Sequence, residues 1–241
     1  MGFALTRPNQ EVEFLSRTPI VLVHGSYHQP AHYAELVSRL RKVASSVTVP
    51  DIGMLPLTRS IALVQDIVDQ AASPPVVVGH SFGGAVAGAL HGARHVVFLS
   101  GWVLDVDETA GGMLAKVGAD DPAASSDFLR ALQLSVDGSS AWIAPAAARD
   151  LFYSDCPPEV ADHAVELLRP DTPLNFELSP TSAAWKTTPS LYVSTRHDRT
   201  WPASLASEFA QRCGHVVTIE TGHSPYLSAP DLTASVILDC L

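Results

Sequence analysis

Apolar residues fall in short β-branched runs at Ile20–Val23, Val47–Val49, Val76–Val78, Val96–Leu99, Leu191–Val193 and Val216–Ile219. None alternates strictly with polar residues, which is the pattern of strands covered on both faces of a parallel sheet. Between these runs the apolar positions return at the helical period. Tyr33–Val43 carries Leu36, Val37, Leu40 and Val43, and Ser60–Ala71 carries Ile61, Val64, Ile67 and Val68, with Ser60 placed as an N-cap. Gly83–His91 is small and apolar, as a helix lying close on a sheet requires, and Ala203–Gln211 separates the last two runs. Strands alternating with helices of this length predict an α/β fold, with a mostly parallel central sheet flanked by helices.

The alternation lapses between residues 104 and 186. Phe128–Leu134, Ala144–Phe152 and Glu159–Leu168 lean toward helix, five prolines interrupt them (157, 158, 170, 173 and 180), and no strand is expected there. The predicted organisation is an N-terminal arm of open structure over 1–18, a core from 19–103 and 187–241, and an inserted helical cap over 104–186.

With 46% hydrophobic and 17% charged residues, the 241-residue chain has the apolar material for one large core and is unlike a disordered sequence. Its net charge of −10 opposes nucleic acid and anionic membranes as partners, since both repel it. Three scattered cysteines without a Cys-x-x-Cys pair suggest neither a disulfide framework nor a zinc site. Charged residues at Arg7, Glu11, Glu13 and Arg17 break any signal-like apolar run, and no stretch of about 18 apolar residues is present. The expected setting is the cytoplasm.

The chemistry concentrates at Gly79-His80-Ser81-Phe82-Gly83, which follows the run Val76–Val78 and opens a helical pattern. Gly-x-Ser-x-Gly between strand and helix is the nucleophile elbow: a sharp turn presents the serine, and small neighbours leave it room. A serine hydroxyl becomes nucleophilic only when a base takes its proton. Of ten histidines, His223 in Gly222-His223-Ser224 alone follows the last predicted strand, at the sheet edge that also carries the elbow. Asp198, after Leu191–Val193, is placed to orient it. Asp105 and Asp107, after the strand ending in Leu99, are the rival acids.

An oxyanion hole needs two amides aimed at the developing charge. Phe82 supplies one by its place in the elbow, and Ser26, in the loop His24-Gly25-Ser26-Tyr27, is expected to supply the other. His24, Gly25, His80, Trp102 and Trp201 are candidates for contact with substrate. Met113, Phe128, Leu129, Trp142, Phe152 and Tyr153 are further apolar residues for a pocket or a core.

Val21-Leu22-Val23-His24-Gly25, the stretch from Val76 to Gly84, the segment ending in Asp198, and Gly222-His223 together resemble α/β-hydrolases of the small methylesterase and hydroxynitrile-lyase group. The resemblance covers about 160 residues of sheet and helix. It implies an α/β-hydrolase fold, the chain order Ser81, Asp198, His223, no metal or organic cofactor, and cleavage of a small apolar or aromatic ester between core and cap. Lyases of the group carry threonine where Gly25 stands and lysine where Ser224 stands, so the resemblance is to the esterase branch. The other functions in view are a lyase or cyclase using the same three residues, and a small-molecule receptor, for which an intact Ser–His–Asp set has no purpose.

Overall fold

Each of the six β-branched runs forms a strand in the computed structural model, which describes residues 18–120 and 127–241. In chain order these are β1 (Pro19–Val23), β2 (Ser46–Thr48), β3 (Val76–His80) and β4 (His95–Leu99). After a long excursion holding β5 (Leu132–Leu134) and β6 (Ala141–Ile143) come β7 (Ser190–Thr195) and β8 (His215–Ile219). The main sheet runs β2-β1-β3-β4-β7-β8 and is parallel throughout, with Val23 opposite Gly79, Gly79 opposite Phe98 and Leu99 opposite Val193. Residues 1–17 of the expected arm lie outside the described residues, and Thr18 is buried at the start of β1.

The period-two geometry of the strands divides the core between two faces. Val21, Val23, Val77, Val96, Phe98 and Tyr192 point to one side, where α2 (Leu57–Asp69), α3 (Phe82–Ala87) and α8 (Ala203–Arg212) supply Val64, Val68, Val86, Leu205 and Phe209. Ile20, Leu22, Val76, Val78, Val97, Leu99 and Val193 point to the other. There they meet Leu36 and Leu40 of α1 (Ala34–Leu40), Tyr226 of α9 (Pro225–Ser228) and Ile237 of α10 (Pro230–Leu238). Phe98, wholly buried at the centre, would cost about 3–5 kcal/mol to truncate to alanine.

Coverage on both faces holds for the central strands but not at the edge. In β8 only Ile219 is buried, and Val217 is 38% exposed. An edge strand has no neighbour beyond it, and its β-branched content reflects strand propensity rather than burial.

Two other expectations are corrected. Helix α2 begins at Leu57 behind Pro56, so Ser60 lies inside its first turn rather than capping it, with its hydroxyl toward the Leu55 carbonyl at 3.4 Å. The inserted segment is not purely helical either. Besides α4 (Ala110–Asp120), α5 (Asp127–Ala131), α6 (Pro145–Phe152) and α7 (Pro158–Glu166), it contains the antiparallel hairpin β5–β6. Its turn is built by Asp137, whose carboxylate takes the Ser135 and Ser139 hydroxyls, and by Gly138 at φ +70°. Three-residue strands are too short to show a period, and the Asp-Gly turn was the one signal available.

The strand order reverses direction at β1: the chain leaves toward β2, then returns to β3 on the other side. In a parallel sheet such a reversal opens a crevice beyond the carboxyl ends of the two strands. The loop from His24 and the turn at Ser81 sit at that crevice.

Candidate active site

Ser81 occupies the sharp turn between β3 and α3 with φ +53° and ψ −125°, a conformation in which a side chain is strained. Backbone bonds on both sides over-determine it: its amide reaches the Leu99 carbonyl at 3.3 Å, and its carbonyl accepts from Gly84 and Trp102 at 2.9 and 3.0 Å. The small residues around it are required. A Cβ on Gly79 would lie 2.4 Å from the Gly83 carbonyl oxygen, and one on Gly25 would lie 2.7 Å from Ser81 Cβ. Phe82 is the first residue of α3, so its amide has no acceptor within the helix.

Asp198 follows β7 by three residues and is buried against the His223 ring. His223 Nδ1 donates to Asp198 Oδ2 at 2.8 Å, which places the ring proton on Nδ1 and leaves Nε2 as a lone pair. That Nε2 is buried and has no hydrogen-bond partner among the described residues. The carboxylate is held from further directions. Ser100 Oγ donates to Oδ2 at 2.5 Å, Thr195 Oγ1 lies 3.0 Å from the same oxygen, and the Thr200 amide donates to Oδ1 at 2.8 Å. Burial alone would raise the Asp198 pKa; the charge and hydrogen bond of His223, with those of Ser100 and Thr200, outweigh it and hold the group below its ordinary value.

The rival acids lie elsewhere. Asp105 pairs with Lys186 at 2.6 Å, and Asp107 is exposed.

The Gly25 loop turns tightly, its Gly25 carbonyl accepting from the His28 amide at 3.3 Å and Tyr27 standing at φ +69°. Asp171 of the inserted segment clamps it. Its carboxylate interacts with the Ser26 hydroxyl and the Tyr27 amide, and accepts from the amides of Thr172 and Met54 at 2.7 and 3.2 Å. Burial nevertheless leaves the Asp171 pKa raised.

Ser26, Ser81 and Phe82 open into one narrow cavity, walled by Tyr27, Trp102, Phe128, Phe152, Phe176 and Trp201 and completed by Ala110, Asn175 and Thr200. Trp201 and Phe152 pack on His223 with ring centroids 5.1 and 5.7 Å away, which brings the imidazole against this wall. The space open to water in it is about 20 Å³, room for about one water molecule.

Of the residues expected to touch substrate, Trp102 and Trp201 line this cavity and Gly25 lies against Ser81. His24 and His80 do not line it. The His24 ring donates from Nδ1 to the Gly25 carbonyl and accepts from the Ile52 amide at Nε2, at 2.9 and 3.0 Å. His80 Nε2 donates to the His223 carbonyl at 2.9 Å, while its Nδ1 accepts from the Tyr33 hydroxyl at 3.0 Å. Both support the loops that carry the site. Among the further apolar candidates, Phe128 and Phe152 line the cavity, Met113 is core and Leu129 is exposed. Tyr153 is buried with its hydroxyl on His28, and Trp142 lies on the hairpin.

Ser100, Thr195, Tyr27, Asp171 and Asn175 were not foreseen. Ser100 has a signal, since it directly follows β4; Asp171, between Pro170 and Pro173, has none. Among the described residues no three His, Cys, Asp or Glu side chains converge as a metal site, and no helix is long and apolar enough to cross a membrane.

This sheet order, the elbow at its reversal and the His–Asp pair at the ends of later strands define a class, and the sequence matches it: the chain belongs to the α/β-hydrolase family over residues 20–236. A curated relative, the α/β-hydrolase nvfD of Aspergillus novofumigatus (strain IBT 16806), is 27% identical over 244 residues, covering 90% of this chain and 94% of that one. The fold is similar to a pyrethroid hydrolase from Sphingobium faniae JZ-2, with TM-score 0.78, 23% identity and coverage of 92% and 96% of the two chains. It is also similar to polyneuridine aldehyde esterase, with TM-score 0.80, 20% identity and coverage of 92% and 98%.

Proposed function

We propose that this chain is a cofactor-free carboxylester hydrolase that acts through an acyl-enzyme on Ser81. The observation that carries this is the His223 ring, tied at Nδ1 to a buried carboxylate, left with an unpartnered Nε2 and packed on Trp201 and Phe152, two walls of the cavity into which the strained Ser81 opens. Ser81 attacks the ester carbonyl as Nε2 takes its proton, and the amides of Ser26 and Phe82 receive the oxyanion. His223 returns the proton to the leaving alcohol, then activates water for the second half-reaction. Asp198 fixes the tautomer and stabilises the imidazolium.

The aromatic wall suits a small apolar or aromatic ester, and the names of the two similarly folded proteins, a hydrolase and an esterase, point the same way. In this proposal residues 104–186 act as a cap over the core of 19–103 and 187–241, and the protein works in the cytoplasm without nucleic acid or membrane partners. Hydrolysis is favoured over lyase chemistry by residue 224: Ser224 offers a neutral hydroxyl, buried and accepting from the Tyr226 hydroxyl at 3.2 Å, where a departing anion needs a cation.

The test is fluorophosphonate labelling with the modified residue located by mass spectrometry, alongside ester turnover in oxygen-18 water. Label on Ser81 and one heavy oxygen in the released acid are expected. Cyanide release from mandelonitrile above the buffer rate, lost in His223→Ala, would overturn the assignment.

A further inference from the structure

Two aromatic arms leave His223. One runs through Trp201 to Trp102, at 5.1 and then 4.8 Å between ring centroids. The other runs through Phe152 and Phe128 to Phe176, at 5.7, 6.3 and 5.9 Å. At the end of the second arm, beside Phe176, the wall holds an amide. Asn175 lies in the 3-10 turn Pro173–Phe176, is 2% exposed and lines the same cavity as Ser81.

Its orientation is decided by chemistry. Asn175 is 3.3 Å from the Leu55 carbonyl oxygen, which can only accept, so the contact must be made by the amide NH₂. The other terminal atom, Oδ1, is buried and has no hydrogen-bond partner among the described residues. An amide oxygen left unpaired in an apolar wall is unfavourable, and a hydroxyl or N–H arriving on a ligand would relieve it. Two other hydroxyls of the wall are committed elsewhere: that of Ser26 to Asp171, that of Thr200 to the Leu151 carbonyl at 3.3 Å.

We infer that Asn175 is a specificity-determining residue whose carbonyl oxygen selects aromatic esters carrying a hydrogen-bond donor, a hydroxyl or N–H, away from the scissile carbonyl. This rests on the ester-hydrolase proposal for the reaction but not for the binding preference. A wall of hydrocarbon discriminates weakly between a hydrogen and a hydroxyl, whereas a buried acceptor discriminates strongly, because the ligand without the donor leaves it unpaired.

The test uses the Ser81→Ala protein and calorimetric titration with methyl phenylacetate, its 2-, 3- and 4-hydroxy derivatives and the matching methoxy compounds. At least one hydroxy ester should bind about tenfold tighter than both the parent and its methoxy counterpart. Adding Asn175→Leu should remove that preference without weakening the parent ester, while Asn175→Asp, which keeps an acceptor, should retain it. Parity of all hydroxy esters with the parent overturns the inference, and this comparison needs no change at Asn175. A preference that survives Asn175→Leu, or an equal loss for every ester, also overturns it, the second showing that the residue merely holds the turn. Turnover of the same esters by the unaltered protein is read separately. Preference without turnover would refute ester hydrolysis and leave the inference standing; turnover without preference would do the reverse.

Discussion

Ser100 Oγ donates, at 2.5 Å, to the same Asp198 oxygen that accepts the His223 Nδ1 proton at 2.8 Å. Ser100 is itself fixed at φ +43°, with its amide on the Val193 carbonyl at 2.9 Å and its hydroxyl accepting from the Trp201 indole at 3.3 Å. Ser100→Ala should therefore weaken the carboxylate's hold on the imidazole without touching substrate. We expect kcat on a p-nitrophenyl ester to fall about tenfold, within the range for one charge-assisted hydrogen bond, with KM unchanged. An unchanged kcat would show that Ser100 only packs.

The acid itself is tested against its rivals. Asparagine at 198 can still hydrogen-bond the ring but stabilises the wrong tautomer, at a cost of roughly 10⁴ in rate in the best-studied triad. Asp198→Asn should approach that loss. Asp105→Asn gives up only the surface pair with Lys186, and Asp107→Asn an exposed carboxylate, so both should stay near the unaltered rate. Steady-state kinetics on the three variants decide it, and a crippled Asp105→Asn would move the acid to the end of β4.

Much of this was legible in the sequence because it is local. A strand of β-branched residues, a Gly-x-Ser-x-Gly turn and a helix are one contiguous pattern, and Ser81 inherits its position from it. Asp198 and His223 each follow a predicted strand, and the carboxyl ends of parallel strands share one edge of the sheet with the elbow. Ser100 and Asp171 act through partners 98 and 145 residues away; the place of Ser100 after a strand is its one local signal, and nothing within the window of Asp171 announces the contact. His24 and His80 show the converse. Their proximity to the elbow was readable, but the sense in which each ring points depends on Ile52, Tyr33 and the His223 carbonyl.

Gly25 offers a steric test of how closely the loop and the elbow are matched. A Cβ there would meet Ser81 Cβ at 2.7 Å and Oγ at 3.2 Å, and neither can retreat, since Ser81 is held by three backbone bonds. Gly25→Ala must push the loop away from the serine, and with it the Ser26 amide. Loss of one oxyanion donor costs about 10²–10³ in kcat. We expect a loss of that size together with slower fluorophosphonate labelling, while circular dichroism stays unchanged. A variant labelled at the unaltered rate would show that the second donor comes from another residue.

The last expectation concerns acid stability, because the site is backed by buried neutral histidines. His28 donates from Nδ1 to the Ser26 carbonyl at 2.8 Å and accepts from the Tyr153 hydroxyl at 2.9 Å. His32 donates from Nε2 to the Ala164 carbonyl at 3.0 Å and accepts from the Gln29 amide at 3.1 Å. Burial is the main cause of lowered pKa values at both, to about 4 for His32 and well below the ordinary imidazole value for His28. His24 and His80 are lowered by burial as well. Below about pH 6.5 the unfolded chain binds protons at these positions that the folded chain refuses, so stability must fall as pH falls. The window runs from about 6.5 down to about 4, with a slope of up to about 1.4 kcal/mol per pH unit for each histidine. Asp198, lowered instead, loses its contribution only below the ordinary carboxylate value. Asp171, raised, works in the opposite sense just above that value. The histidines dominate by number. The melting temperature should hold level above pH 7.5 and drop by on the order of 10 °C by pH 5. His32→Gln, which keeps a donor and an acceptor but cannot take a proton, should flatten the decline between pH 6.5 and 4; an equally steep decline in that variant would place the acid sensitivity elsewhere.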